Sequence, residues 1–173
     1  DLARKDPRNF DVDAHARLLT AYAAEPRLRA LDGLSKRERA SLLQRLADAL
    51  HQTAKRLEGM GIEAPRLGLL EREVALREPL AQDPAERSRQ LDDLAWAYRE
   101  LCDAYHTANR EQDAGTVAYK RVAIRREQME KSPQTYDELS AFVWAMRDLG
   151  DEQRHADDDK AGQESYREAG RVG

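Results

Sequence analysis

The chain repeats itself at an interval of 48 residues. The segment Val74–Arg77 recurs as Val122–Arg125, and Trp96–Asp103 recurs as Trp144–Asp151. A fixed interval of this length, filled with helix-forming residues, is typical of stacked pairs of antiparallel helices. The repeat therefore predicts an all-α protein in which each helix pair packs on the next. Such arrays usually bind other proteins rather than catalyse reactions.

Small residues recur at matching places in the second copy. Cys102, the single cysteine, aligns with Gly150, which predicts a small residue at a close helix contact. Three further matches follow once one residue is lost in the second copy: Ala114 with Ala161, Gly115 with Gly162, and Tyr119 with Tyr166.

Composition supports a helical chain and excludes several classes of partner. Hydrophobic residues make up 40% of the chain and charged residues 36%, and no segment alternates with the period of two that strands require. The net charge of -4, with both signs finely mixed, argues against nucleic acid, which needs a clustered basic face. No apolar run approaches the length of about 18 residues that a membrane helix needs, and no signal peptide is visible. We therefore expect a cytoplasmic protein without a membrane partner. Because the chain begins at Asp1 rather than Met, we also expect it to be part of a larger protein.

The sequence contains no recognisable catalytic or metal-binding motif. A lone Cys102 permits no intrachain disulfide. The four histidines, at positions 15, 51, 106 and 155, are not paired at helical spacing, whereas zinc needs several converging ligands. No glycine-rich phosphate loop or nucleophile elbow is present. The sequence therefore predicts no catalytic residues, no metal site and no cofactor, and hence no enzymatic activity.

Turn-forming and helix-capping residues divide the chain into a short N-terminal part and three long helix pairs. Residues 1–25 are expected to form a leader and a short helix, and the pairs to cover 26–73, 74–121 and 122–169. This organisation predicts seven to eight helices in one solenoid that spans 26–173.

Local signals mark the helix ends. Ser35 followed by Glu38 resembles a capping box, and Gly59 is expected to end that helix. Asp83-Pro84 and Ser132-Pro133 have the cap-then-proline pattern of helix starts. The acidic run Asp157–Asp159 is expected to begin the last helix, where negative charge favours the positive end of the dipole.

The repeated residues resemble those of tetratricopeptide repeats. Leu149-Gly150 matches the Leu-Gly pair of that family's first helix, and Leu101-Cys102 nearly does, while Gly162, Tyr166 and Ala169 fit its second helix. The family's usual repeat has about 34 residues, so the interval of 48 implies longer helices. The closest likeness is to long-helix bacterial versions with an Ala-Ile/Leu-Arg-Glu signature. The resemblance implies a right-handed α-solenoid whose first helices line a concave groove.

One face of the repeated first helices combines tryptophan, arginine and aspartate, a mixture typical of binding hot spots. The candidate partner-binding residues are Trp96, Arg99, Asp103, His106, Trp144, Arg147, Asp151 and Arg154. In a purely structural interpretation, Trp96 and Trp144 are instead buried between repeats. The charged residues would then form only local ion pairs four residues apart, Arg99 with Asp103 and Arg147 with Asp151.

These observations favour a non-catalytic protein-interaction scaffold that offers a concave helical groove. The expected partner is a peptide, a protein, or another domain of the full-length chain. The alternative is an oligomerisation or regulatory segment of a larger multidomain bacterial signalling protein, which would include self-association.

Overall fold

The computed structural model describes residues 34–82, 87–131 and 135–172. Within these ranges the chain is all-helical, as predicted, and contains no strand. The six helices are α1 (Lys36–Gly59), α2 (Glu63–Leu80), α3 (Arg87–Thr107), α4 (Glu111–Lys131), α5 (Tyr136–His155) and α6 (Asp159–Val172). The predicted short helix before Pro26 and the two cap-then-proline signals, Asp83-Pro84 and Ser132-Pro133, lie outside the described residues.

The chain divides into two units, Asp1–Leu42 and Leu43–Gly173. In the first unit, the described residues are the start of α1 and its cap. The Ser35 hydroxyl accepts a hydrogen bond from the Glu38 amide at 3.3 Å, and the Glu38 carboxylate accepts one from the Ser35 amide at 2.9 Å. This is the predicted capping box, and it satisfies two amides that the first helical turn leaves unpaired.

A second capping box begins α5. The Thr135 hydroxyl accepts a hydrogen bond from the Glu138 amide, and the Glu138 side chain accepts one from the Thr135 amide. The sequence signal for this helix start was placed earlier, at Ser132-Pro133, and so missed the Thr135 cap. At the start of α6, the Asp158 carboxylate accepts a hydrogen bond from the Ala161 amide at 3.0 Å, which agrees with the predicted role of the acidic run.

The turns inside the three helix pairs share one geometry at the repeat interval. Gly61, Asn109 and Asp157, which are 48 residues apart, all have positive φ values of 69°, 55° and 61°. At each turn the next amide donates a hydrogen bond back to a carbonyl five residues earlier, as Arg110 does to Tyr105 at 2.9 Å. This is the left-handed cap that commonly ends helices. Glycine, asparagine and aspartate are the residues that most readily adopt this conformation.

The main packing contacts in the second unit join consecutive helices: α2 with α3, α3 with α4, α4 with α5, and α5 with α6. Leu101 in α3 and Leu149 in α5, which are equivalent in the repeat, are both buried. Phe142 in α5 is fully buried. Apolar contacts between consecutive helices therefore form the core of this unit. None of the described helices is long and apolar enough to cross a bilayer.

The close contacts between α3 and α4 and between α5 and α6 involve residues 48 positions apart. The predicted loss of one residue in the second copy is therefore wrong for these contacts. The Cys102 thiol donates to the Ala114 carbonyl at 3.5 Å in the second pair. In the third pair, a side chain on Gly150 would meet the Gly162 carbonyl at 3.2 Å. Gly162 is thus the structural equivalent of Ala114, not of Gly115. The prediction that Cys102 fills a place for a small residue is confirmed.

Candidate functional site

All eight predicted partner-binding residues are exposed. Trp96 and Trp144 have 53% and 56% of their surface accessible. Burial of the two tryptophans between repeats, the alternative interpretation of the sequence, is therefore wrong. Arg99, Asp103, His106, Arg147, Asp151 and Arg154 are exposed as well.

Each tryptophan ring contacts the side chain of an arginine that lies about one helical turn later in the same helix. The Arg99 guanidinium lies 5.4 Å from the centre of the Trp96 ring, and Arg147 lies 5.1 Å from that of Trp144. The ion pairs found in the described ranges include neither Arg99–Asp103 nor Arg147–Asp151. Cation–π contacts of this kind contribute about 0.5–1 kcal/mol at exposed sites. The two arginines therefore lie over the tryptophan rings, and in the described residues they do not form the local ion pairs of the alternative interpretation.

A groove of about 650 Å³ separates the N-terminal halves of α3 and α5, with the C-terminal half of α4 between them. Trp96 is the one predicted residue in its lining. Trp144 occupies the equivalent place on α5 and lies outside this lining. The full lining is Arg87, Leu91, Asp92, Trp96, Arg125, Glu127, Gln128, Lys131, Asp137, Glu138 and Ala141.

Several charges in the groove are already neutralised by partners within it. Arg87 makes two hydrogen bonds of 2.9 Å to the carboxylate oxygens of Glu127. Lys131 also contacts Glu127, at 2.6 Å. Hydrogen bonds from Arg87 and then Lys131 lower the pKa of Glu127 to about 2, so this cluster stays ionised at neutral pH. Arg125 pairs with Asp92 at 2.5 Å.

A smaller recess of about 140 Å³ lies nearer the C-terminal ends of α3 and α5. It is lined by Arg99, Cys102, Asp103, Ala118, Arg121, Asp148, Asp151 and Glu152. Four carboxyl groups face two guanidinium groups, so the recess is net acidic. Arg121 is already paired with Asp148. Burial is the main cause that raises the pKa of Asp103, with Arg99 opposing it. Three predicted residues, Arg99, Asp103 and Asp151, therefore meet in an acidic recess next to the groove.

The recess also contains a thiol, but not a reactive one. Burial raises the pKa of Cys102, and the neighbouring Glu152 carboxyl raises it further. A thiol that stays protonated is a weak nucleophile. Burial likewise raises the pKa of Glu152. Burial therefore raises the pKa of the acidic side chains Asp103 and Glu152, and the Cys102 thiol is not an activated nucleophile.

The remaining predicted residues lie at the C-terminal ends of their helices. The His106 ring stacks on His155, with ring centres 4.5 Å apart and an angle of 26° between the planes. The His106 Nδ1 atom lies 3.0 Å from Glu111 at the start of α4, and this contact is the main cause that raises the pKa of His106. Arg154 contacts Asp159 at 3.5 Å. Sequence analysis missed Glu111, Glu152 and His155, because the three come together only when the ends of α3, α4 and α5 are placed.

Comparisons with known proteins identify no relative: no family model, no curated protein and no solved structure matches this chain. The resemblance to tetratricopeptide repeats therefore stays a prediction from the residues.

Proposed function

We propose that the chain is a non-catalytic protein-interaction scaffold of the tetratricopeptide type, a right-handed α-solenoid whose groove binds a segment of another protein. The observation that carries the proposal is the exposed Trp96, held by Arg99 at the wall of the groove. A large aromatic ring with a fixed orientation offers contact area at low cost in ordering entropy. The helix contacts between consecutive elements and the equivalent turns at Gly61, Asn109 and Asp157 support a stacked array.

The chemistry of the groove favours a particular kind of segment. The cationic side chains of the groove, Arg87, Arg125 and Lys131, already have carboxylate partners. The apolar surface left for a guest is chiefly the exposed Trp96 ring, with Ala141 on the opposite wall. An apolar side chain is the natural occupant of that surface. The net acidic recess beside it suits a Lys or Arg side chain.

The distance between the Trp96 ring and the acidic recess determines how far apart the apolar and the basic residue of the bound segment must be. Trp96 and Asp103 are seven residues apart on α3 and share one face, which places them roughly 10 Å apart along the axis. An extended peptide covers that distance with about three residues. We therefore expect an apolar residue and a basic residue about three positions apart in the bound segment.

Peptides selected by display against the full chain should require this face. Trp96→Ala is expected to weaken their binding about tenfold or more, as for a central aromatic anchor. Asp103→Lys should weaken peptides that carry the basic residue. Both effects are measured by calorimetric titration. Because Trp96 and Trp144 are the two tryptophans of the chain, binding should also change the intrinsic tryptophan fluorescence.

Met60→Ala is the matched control, because Met60 is 52% exposed in the turn between α1 and α2, apart from the groove. Its peptide affinities should equal those of the unaltered chain. Selected peptides that bind the Trp96→Ala and Met60→Ala variants equally well would show that the groove is not the binding surface.

The second candidate is self-association, within an oligomerisation or regulatory segment of a larger bacterial protein. Trp144 favours it: the ring is 56% exposed and lies outside the groove lining. A mass from light scattering that rises with concentration, and that returns to the monomer value in Trp144→Ala, would favour this function over the first.

A further inference from the structure

We propose that a divalent transition-metal cation, for which Zn²⁺ is the best match, binds where the ends of three helices meet, with four ligands: His106, Glu111, Glu152 and His155. The proposal does not depend on the groove function, although one of the four ligands, Glu152, also lines the acidic recess. It adds a site that the sequence did not predict, since the two histidines are 49 positions apart and belong to different helices.

The positions of the ligand atoms carry the proposal. One nitrogen or oxygen atom from each of the four side chains lies within 4.8 Å of all the others. His106 Nδ1 and Glu111 Oε2 are 3.0 Å apart. Two ligands of a tetrahedral zinc ion lie roughly 3.3 Å from each other, so this pair already has a suitable spacing. The ligand atoms of Glu152 and His155 would have to move slightly toward this pair, and the His155 ring is exposed and free to do so.

The second observation is a buried carboxylate oxygen without a partner. Glu152 is only 8% exposed, and its Oε2 atom is buried and accepts no hydrogen bond within the described chain. A buried oxygen in this state carries a desolvation penalty. A cation bound among the two histidines and Glu111 would remove that penalty. The Cys102 thiol also faces the Glu152 carboxyl, but Cys102 donates to the Ala114 carbonyl and is not needed as a ligand.

The donor set selects the class of metal. Two imidazole nitrogens with two carboxylate oxygens suit Zn²⁺ and similar transition metals, whereas Ca²⁺ and Mg²⁺ prefer oxygen ligands alone. Four protein ligands also match the closed coordination of structural zinc sites. The cation would tie together the C-terminal ends of α3 and α5 and the start of α4. Its role would therefore be structural, fixing the end of the helix array opposite the open groove.

Titration of the metal-free full chain with Zn²⁺, followed by calorimetry, tests the site. We expect one ion per chain and a thermal midpoint that rises with zinc concentration, since a ligand that binds only the folded state stabilises it. His155→Ala should weaken Zn²⁺ binding about tenfold or more. Glu152→Gln should do the same while keeping the size of the buried side chain. Circular dichroism without zinc checks that both variants remain folded, and His155 is exposed, so its removal should leave the fold intact.

His51→Gln is the matched control, because His51 also contacts a single carboxylate, Glu73 at 3.1 Å. His51→Gln, His15→Gln and Cys102→Ala should each bind Zn²⁺ as the unaltered chain does. The proposal is overturned if the chain binds no Zn²⁺ at micromolar concentrations, which would make the cluster a hydrogen-bonded helix junction only. It is equally overturned if His155→Ala leaves the affinity for Zn²⁺ unchanged, or if binding is lost in any of the three controls.

Discussion

Replacing Arg77 with leucine is expected to lower the free energy of unfolding by about 3–5 kcal/mol. Arg77 in α2 donates from Nε to Glu73 at 2.8 Å and from Nη2 to Asp48 in α1 at 2.9 Å. Glu73 is among the most buried side chains of the described protein, at 1% exposure. Without Arg77, its carboxylate would keep, among the described residues, only His51 as a partner. The loss comes from stranding a buried charge, and urea unfolding measures it.

A second substitution separates the stranded charge from lost packing. Adding Glu73→Leu to Arg77→Leu should raise the free energy of unfolding again by at least about 2 kcal/mol, because two buried leucines leave no charge without a partner. If the double variant is no more stable than Arg77→Leu alone, the loss is not due to the uncompensated carboxylate.

The repeat supplies the matched control at Arg125, which is 48 residues after Arg77. Arg125 also binds a carboxylate of another helix, but its partner Asp92 has 59% of its side chain exposed. Exposed ion pairs contribute about 1 kcal/mol at most. Arg125→Leu should therefore change stability much less than Arg77→Leu. Equal losses would mean that burial of the partner does not determine the effect.

The sequence predicted the helices because their signals are local. The Ser35–Glu38 box and the periodic apolar residues act within one helical turn, and the structure confirms both the helix and its cap. The positive φ of Asn109 was not predicted, although asparagine tolerates it, because this tolerance alone does not determine which residue near a helix end adopts that conformation.

The candidate site was predictable only in part. The repeat interval predicted that Trp96 and Trp144 occupy equivalent places on α3 and α5, but it left open whether they are exposed, as the structure has them, or buried between repeats. Which residues share a cavity depends on which helices lie on either side: α5 forms the far side of the groove at Trp96, whereas α6 is the only described helix that follows α5. The clustering of His106 with His155 has the same origin, since contacts across three helix ends leave no pattern along the chain.

Replacing Gly162 with alanine is expected to lower the free energy of unfolding by about 1–3 kcal/mol. A Cβ atom at this position would lie 2.9 Å from the Gly150 carbonyl oxygen and 2.6 Å from Cγ of Arg154. The arginine side chain can move, but the carbonyl belongs to the backbone of α5. The two helices would have to separate, and Gly150 and Gly162 would lose the contact that brings α5 and α6 together. Thermal and urea unfolding both measure the change.

Gly115→Ala is the control that also decides the register of the repeat. A Cβ atom on Gly115 meets nothing within 4 Å, and the residue lies inside α4. Alanine there should raise stability by about 0.5–1 kcal/mol, because glycine is a poor helix former. An alignment that pairs Gly115 with Gly162 expects the two substitutions to act alike, whereas the interval of 48 pairs Gly162 with the buried Ala114. Opposite signs support the second register, and a shared sign would show that the contact at Gly162 is not the close approach described here.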